Sequence, residues 1–426
     1  QLHLDDVSGI PFLKDILGVD LYQLRARVRA ETGDLFTATC PAMPDYEAYN
    51  AERLALGKPM FVQSLSSDAP IEVARACEGD LALQTIAAKA QTSGGMVIQP
   101  YMGIEAVWHL AQTVQEHSGR PIQVLAPPPP ITWFANDKCD LTEVTAAVAG
   151  SDAVVESHIA STPHALAVHL LDLASRHERV ALKMGRCASA MGNHIWEASA
   201  VQTMGLAALE QAVLEVLTQK EWKQDERVLA VAWADASSSP STQLWIPPLG
   251  HGDPVLDGVY EQLLEGEEKV FLGSIPSRLG TEVDRGLARI SLRVAAVFQQ
   301  LGYVGRCSFD FIIVDGVLKI TECNGRWGGT STPMHLMDRL FPAGRPFYRA
   351  QDYVDKALVG RSFADLAGAL EDLLYDVRTG NGRLVLYNVG CLPRFGKFDV
   401  IVLGEDLDQC TEVVEHDIPA RLASLS

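Results

Sequence analysis

The sequence predicts an α/β protein built from several domains. Its 426 residues exceed one ordinary compact domain, and a typical domain size of about 150 residues suggests two to four. Hydrophobic residues make up 47% of the chain, enough to bury a large core, which excludes disordered and fibrous classes. Short apolar runs alternate with amphipathic stretches along the chain, and this alternation is typical of α/β layers.

The first third of the chain predicts an open parallel sheet. Strands are predicted over 59–64, 96–101 and 121–125. Amphipathic stretches over 71–90 and 104–115 predict helices between them. We interpret the proline run at 127–130 as a stiff spacer, which places a domain boundary near residue 130.

The rest of the chain mixes strands and helices. Helices are predicted over 141–149, 163–177, 198–219, 282–301, 363–377 and 407–414. Strands are predicted over 153–156, 180–185, 228–234, 243–246, 383–389 and 398–403, together with a hairpin over 307–326.

The charge balance argues against two classes of partner. Thirty-five Lys and Arg against 54 Asp and Glu give a net charge of −19. This field repels phosphate backbones and anionic lipid, so we expect neither nucleic-acid nor membrane partners. The eight cysteines occur singly without a C-x-x-C pair, which favours the cytoplasm. No signal peptide is expected; because the chain begins at Gln1 rather than Met, a missing native N-terminus stays an open question.

The hairpin segment 307–326 carries the most informative chemistry. Two β-rich runs flank Asp315-Gly316, which is a strong turn signal. Asp310, Glu322 and Asn324 supply side-chain oxygens of the kind that hold Mg²⁺. The alternative is a half-exposed hairpin whose acids simply face water.

The register of this hairpin decides whether the three oxygens can share an ion. A two-residue turn with regular strands pairs 314 with 317 and places Asp310 on the opposite face from the other two ligands. A three-residue loop, with Gly316 in the left-handed conformation, pairs 313 with 317 and places all three on one face. We therefore predict the three-residue loop if the segment binds metal.

The sequence around this hairpin resembles the metal-binding end of the ATP-grasp ligases. The matching residues are Asp310-Phe311, then Glu322-x-Asn324-x-Arg326 and Trp-Gly-Gly-Thr-Ser at 327–331. The resemblance implies that Asp310, Glu322 and Asn324 hold two Mg²⁺ against the phosphates of ATP. It also implies that Arg326 holds the acyl-phosphate, with backbone N–H groups near Gly328 and Gly329 adding to the anion hole.

Two upstream segments match the same family in the expected order. Asn136-Asp137-Lys138 resembles the tripeptide that opens the ATP-binding region, and Lys183 resembles the strand lysine that neutralises phosphate. Ser189 and Gly192, in the loop that follows, are the expected phosphate contacts. Taken alone, either lysine is more often a solvated surface residue; the order and spacing of the two ahead of the hairpin favour the phosphate-binding role.

The resemblance also implies where the adenine binds. The segment 231–234 corresponds to the interdomain hinge, so Ala232 and Trp233 are the expected adenine contacts. No acidic residue in that segment is placed to bind the ribose, and Glu261 is a guess for this role.

The implied architecture is an N-terminal pre-ATP-grasp domain with an open parallel sheet, followed by a two-lobed α+β ATP-grasp fold. Its parts are a pre-ATP-grasp domain at 1–130, a nucleotide-binding subdomain at 131–235, a metal and catalytic subdomain at 236–345, and a C-terminal segment at 346–426 that completes the second lobe.

The implied reaction is ATP-dependent ligation of a carboxylate to an amine through an acyl-phosphate. Segments 239–248 and 302–310 further resemble the peptide ligases of pheganomycin biosynthesis, which implies an amino-acid donor and a peptide or amino-acid acceptor. The expectation allows for a homodimer. The rival interpretations are an ATP-grasp phosphotransferase that acts on an alcohol and a degenerate nucleotide-binding sensor or scaffold.

Overall fold

Three β-sheets organise the part of the chain that the structure describes, which in this computed structural model comprises residues 1–10, 18–64, 69–187, 192–265 and 270–425. The first sheet is parallel throughout, and its strand order is β3-β2-β1-β4-β5. The second is antiparallel with the order β6-β9-β7-β8. The third is an eight-stranded antiparallel sheet with the order β14-β13-β10-β11-β12-β15-β17-β16.

The strands have the following bounds. The first sheet contains β1 Leu2–Leu4, β2 Leu35–Ala38, β3 Met60–Gln63, β4 Met96–Pro100 and β5 Ile122–Val124. The second contains β6 Ser157–Ala160, β7 Arg179–Met184, β8 Asn193–Glu197 and β9 Val228–Ala232. The third contains β10 Pro240–Ile246, β11 Val255–Glu265, β12 Val270–Pro276, β13 Gly305–Val314, β14 Val317–Asn324, β15 Phe347–Val354, β16 Leu384–Tyr387 and β17 Lys397–Gly404.

The α-helices are α1 Pro44–Ala48, α2 Val73–Ala76, α3 Asp80–Ser93, α4 Glu105–Ser118, α5 Pro129–Ala135, α6 Lys138–Ala149, α7 Pro163–Ala174, α8 Ala198–Gln219, α9 Thr281–Gln300, α10 Ser331–Leu340, α11 Phe363–Ala369, α12 Leu392–Phe395, α13 Leu407–Glu412 and α14 Ile418–Leu422. Shorter turns of 3-10 or π geometry are Val19–Arg29, Tyr49–Arg53, Ser151–Ala153, Lys356–Leu358, Val389–Cys391, Val413–Asp417 and Ala423–Leu425.

The parallel sheet confirms the predicted α/β class and corrects its details. The predicted strands over 59–64, 96–101 and 121–125 correspond to β3, β4 and β5, but β1 and β2 were not predicted. β1 is only three residues long, too short to show a pattern, although it lies at the centre of the sheet. The proline spacer is wrong beyond Pro128, because Pro129 begins α5, where a missing N–H is tolerated in the first helical turn.

The later predictions differ from the structure in specific places. The strand predicted over 153–156 begins at Ser157, and Val154 instead bridges to Ile320 on β14 of the hairpin that contains the predicted metal ligands. The helix predicted over 363–377 ends at Ala369. Strands β8, β11, β12 and β15 were missed.

The buried cores cross the predicted domain boundaries. Ala135 and Leu141 pack with Phe309 and Phe311 of β13, so α5 and α6 contribute to the core behind the eight-stranded sheet. A second core joins Tyr46 and other N-terminal residues to β15, β16 and β17. The divisions at 130, 235 and 345 therefore stay predictions.

One helix in the described part of the chain, α8 (Ala198–Gln219), is long and apolar enough to cross a membrane by length and composition alone. This is weak evidence, because a core helix of a soluble protein passes the same test. Gly205 also interrupts the helical geometry, with φ 71° and ψ 167°.

Candidate active site

The hairpin of β13 and β14 has a two-residue turn, so the predicted three-residue loop is wrong. Val314 pairs directly with Val317. Asp315 and Gly316 both have positive φ, at 50° and 77°, as a type I′ turn requires. This turn matches the natural twist of the two strands, and Asp-Gly is one of its preferred sequences.

A β-bulge nevertheless places the predicted metal ligands on one face. Phe311 pairs with Ile320 but Asp310 pairs with Glu322, so Thr321 is an extra residue in β14. The Thr321 hydroxyl donates a hydrogen bond to the Asp310 carbonyl at 3.1 Å. The bulge shifts the register by one residue and cancels the effect of the shorter turn.

The three side-chain oxygens form a donor set that fits Mg²⁺. Asn324 lies two residues beyond Glu322 on the same face, and its Nδ2 donates to Asp310 Oδ2 at 3.0 Å. Burial, and then the facing charge of Glu322, raise the pKa of Asp310 to about 6. Asp310 and Glu322 face each other across the hairpin, and carboxylate and amide oxygens are ligands that Mg²⁺ accepts.

Lys138 points into the same face from α6. Its side chain is only 4% exposed, and Nζ lies 3.2 Å from Glu322 Oε1. Nζ also donates to the Cys187 carbonyl at 3.1 Å. Burial opposes the charge of this amine, but Glu322 and Cys187 outweigh it, so the pKa of Lys138 is raised. Asp137 caps α6 by accepting from the Cys139 N–H at 2.9 Å, which fixes the start of the helix.

Lys183 on β7 brings a second amine into this region. Its ammonium makes no hydrogen bond or ion pair within the described residues, and it lies 5.8 Å from the centre of the Trp233 ring. Burial and the nearby charge of Lys138 lower the pKa of Lys183. A polyanion bound here would favour the protonated form of both amines, because it would offset the repulsion between them.

Arg326 lies where the parallel-sheet domain meets the metal hairpin. Its Nη1 donates to the Trp327 carbonyl at 3.2 Å and to the Tyr101 hydroxyl at 3.4 Å. No carboxylate lies within ion-pair distance of Arg326 among the residues that the structure describes. A cavity beside it is lined by Met102, Trp133 and Glu322, among others. Arg326 is therefore available to bind an anion next to the metal ligands.

Solved structures share this architecture over nearly the whole chain. N5-carboxyaminoimidazole ribonucleotide synthetase from Thermus thermophilus is 15% identical with a TM-score of 0.52, over 96% of this chain and 96% of that chain. Biotin carboxylase from Campylobacter jejuni, in a β,γ-ATP complex, is 11% identical with a TM-score of 0.56, over 96% and 92%. The biotin carboxylase domain of Hydrogenobacter thermophilus 2-oxoglutarate carboxylase, in complex with MgADP, ADP and bicarbonate, is 11% identical with a TM-score of 0.54, over 95% and 86%.

The chain has the ATP-grasp fold. No protein-family model and no curated protein sequence matches it.

Within this ATP-grasp fold, the hinge residues expected to bind adenine have their backbone donors occupied. The N–H of Ala232 donates to the Glu156 carbonyl and that of Trp233 to the Arg179 carbonyl, both at 2.9 Å. Trp233 still lies near Lys183. Glu261 lies on the opposite sheet face from Asp310, because its neighbour Tyr260 shares a face with Ser241 and Asp310.

The loop after β7 is only partly described. Ser189 lies outside the described residues, so nothing tests its predicted contact. Gly192 accepts a hydrogen bond from the Met184 N–H at 3.0 Å. A Cβ at this position would lie 2.3 Å from Cys187 Sγ, so the close approach requires glycine.

The two glycines predicted for the anion hole have other contacts. The Gly328 N–H donates to the Ser331 hydroxyl at 2.6 Å, so this donor is engaged in the structure. A Cβ on Gly329 would lie 2.6 Å from the Phe271 ring, so packing requires this glycine. Helix α10 begins at Ser331 and turns its N-terminus toward this segment.

Sequence reasoning missed the role of Asn136. Its Oδ1 accepts a hydrogen bond from the Gly325 N–H at 3.0 Å, and its Nδ2 donates to the Thr132 carbonyl at 2.7 Å. Gly325 lies between Asn324 and Arg326, so Asn136 fixes the chain between the predicted metal ligand and the predicted anion-binding residue. The signal was present, because Asn136 is the first residue of the tripeptide that ends in Lys138.

Proposed function

We propose that this chain is an ATP-dependent ligase that joins a carboxylate to an amine through an acyl-phosphate. One observation carries the proposal: the bulged hairpin presents Asp310, Glu322 and Asn324 on one face, next to Lys138 and with Arg326 beside them. The set combines metal ligands, phosphate-neutralising cations and a free anion receptor.

The chemistry of amide formation explains why such a site needs cations. A carboxylate does not react with an amine at neutral pH, because its leaving group would be an oxide. Transfer of the γ-phosphate of ATP to the carboxylate creates an acyl-phosphate with a good leaving group. The protein contributes mainly positioning and charge neutralisation to this transfer.

The residues take complementary roles in the proposal. Lys138 and Lys183 neutralise the phosphates of ATP, and Arg326 binds the carboxylate that accepts the γ-phosphate and later the oxyanion. Mg²⁺ held by Asp310, Glu322 and Asn324 would further neutralise charge on the transferred phosphate. Residues 131–235 then form the nucleotide-binding subdomain and residues 236–345 the metal subdomain.

The structural neighbours support nucleotide and metal use. Their described complexes include MgADP with bicarbonate in one biotin carboxylase domain and a β,γ-ATP complex in another biotin carboxylase. The finer proposal is an amino-acid donor joined to a peptide or amino-acid amine by a cytoplasmic enzyme of antibiotic biosynthesis that uses two Mg²⁺. This part rests on the resemblance of segments 239–248 and 302–310, and homodimer formation is part of the same proposal.

The test is ADP release over a matrix of carboxylic acids and amines, with product masses determined. An amide plus ADP supports the ligase, whereas a phosphorylated substrate plus ADP identifies a phosphotransferase instead. Addition of hydroxylamine should trap the acyl-phosphate as a hydroxamate.

Two variants on the same hairpin sharpen this test. Glu322→Ala should lose ATP cleavage while remaining folded. Asp315→Asn removes one acidic charge from the exposed turn and should retain full activity. ATP-dependent turnover by Glu322→Ala would contradict the assigned metal site.

A further inference from the structure

Lys138 forms an ion pair with one of the proposed metal ligands. Its Nζ lies 3.2 Å from Glu322 Oε1, and Glu322 faces Asp310 directly across the hairpin. The ammonium is additionally held by the Cys187 carbonyl at 3.1 Å and lies 3.5 Å from Cys187 Sγ. Because Cys187 belongs to the loop after β7, the lysine connects that loop to the metal hairpin.

The ammonium of Lys138 would repel a free metal ion that binds the carboxylate of Glu322. Mg²⁺ binds carboxylate oxygens at about 2.1 Å, so an ion on Glu322 Oε1 would lie within about 5 Å of the Lys138 ammonium. The two positive charges would repel each other in a partly desolvated site, where screening by water is weak.

We propose that Lys138 makes the metal site specific for a metal ion that arrives with a polyphosphate and excludes the free divalent cation. The inference rests on the proposed function and adds a binding order to it. A polyphosphate supplies the anionic oxygens that Lys138 needs when it leaves Glu322, and the same oxygens complete the coordination of the metal. Lys183 has no protein partner to lose among the described residues, so it can bind the same phosphates directly.

The proposal predicts that removal of the ammonium opens the site to free metal. Mn²⁺ is used as the probe, and its binding is measured by the EPR signal of the unbound ion, first without nucleotide. Lys138→Met should bind Mn²⁺ about tenfold or more tightly than the wild type, because one repulsive charge is gone. Lys138→Arg keeps the charge and should bind Mn²⁺ as weakly as the wild type.

A matched control removes another buried lysine that pairs with a carboxylate. Lys397 contacts Asp352 and donates to the Tyr22 hydroxyl at 2.6 Å, on β17. Lys397→Met changes the net charge by the same amount, so it should leave Mn²⁺ affinity unchanged. Circular dichroism of each variant verifies that the fold is retained.

A second measurement uses the wild type alone and does not depend on any variant folding. Adenosine 5′-(β,γ-imido)triphosphate should strengthen Mn²⁺ binding to the wild type beyond the Mn²⁺ that the nucleotide chelates in a protein-free control. Equal nucleotide-free affinities for the wild type, Lys138→Met and Lys397→Met would overturn the inference while leaving the ligase proposal intact. The absence of Mn²⁺ binding in every state, with or without nucleotide, would instead overturn both.

Discussion

Asp310→Asn should stabilise the protein at neutral pH and abolish its activity. Burial and the facing Glu322 raise the pKa of Asp310 from 3.8 to about 6. Between pH 3.8 and about pH 6 the folded protein therefore keeps the proton of Asp310, whereas the unfolded chain has released it. The contribution of this group to stability falls as pH rises through that window, and above pH 6 the full penalty applies.

The magnitude follows from the size of the shift. Each pKa unit corresponds to about 1.4 kcal/mol, so the shift of Asp310 corresponds to roughly 3 kcal/mol at most. The side chain is partly exposed, and screening by water reduces this value, so we expect a gain of about 1–3 kcal/mol at pH 7.5. At pH 4.5 the gain should be less than about 1 kcal/mol, because most of the penalty has disappeared.

The assay compares the thermal midpoints of both proteins at pH 7.5 and 4.5, without divalent metal and with EDTA. Asp315→Asn is the matched control, because it removes one charge from the exposed turn of the same hairpin; it should change stability by less than about 0.5 kcal/mol. Lower stability of Asp310→Asn at pH 7.5 would refute the reasoning. A difference from wild type that is equal at both pH values would also refute it.

Three further variants test the neighbouring contacts. Lys183→Met should leave the fold intact or slightly more stable, because the lysine has no hydrogen-bond or ion-pair partner among the described residues and its pKa is lowered. The same variant should raise the KM for ATP about tenfold. An unchanged KM would contradict the proposed role of Lys183 in binding phosphate. Gly192→Ala should destabilise the protein by about 1–3 kcal/mol in thermal unfolding, and Cys187→Gly in the same chain should restore most of the loss, because it removes both the Sγ and the Cβ that the new methyl group would meet. Asn136→Ala should lower kcat about tenfold with little change in the KM for ATP, because it frees the Gly325 N–H next to the metal ligands rather than a nucleotide contact; a rise in KM alone would argue against this.

The hairpin shows what a local pattern can and cannot predict. Its two strands and its turn residues could be predicted from the sequence, because alternation and Asp-Gly are local signals. The sequence does not show whether the three side chains share a face because of a three-residue loop or because of a two-residue turn combined with a bulge. The structure uses a preferred type I′ turn together with a bulge at Thr321, and a bulge leaves no signature in a run of β-forming residues.

The contacts that assemble the site could not be predicted for a different reason. Lys138 and Glu322 are far apart in sequence, and their ion pair depends on how α6 packs behind the eight-stranded sheet. The packing of Tyr46 against the C-terminal strands is equally non-local. Patterns along one chain report which face of an element is buried but not which element covers it.

The tripeptide at 136–138 explains how three separate elements form one site. Asn136 holds the metal hairpin through Gly325, and Lys138 holds Glu322 and the loop after β7. Asp137 caps α6 and forms an ion pair with Arg186 of that same loop at 3.3 Å. Because adjacent residues bind both the hairpin and the loop after β7, a displacement of either element would disturb the contacts of the other. The net charge of −19 is therefore compatible with binding a polyanion. The groups that would face the bound polyanion are the local basic side chains, and their charge matters more there than the net charge of the protein.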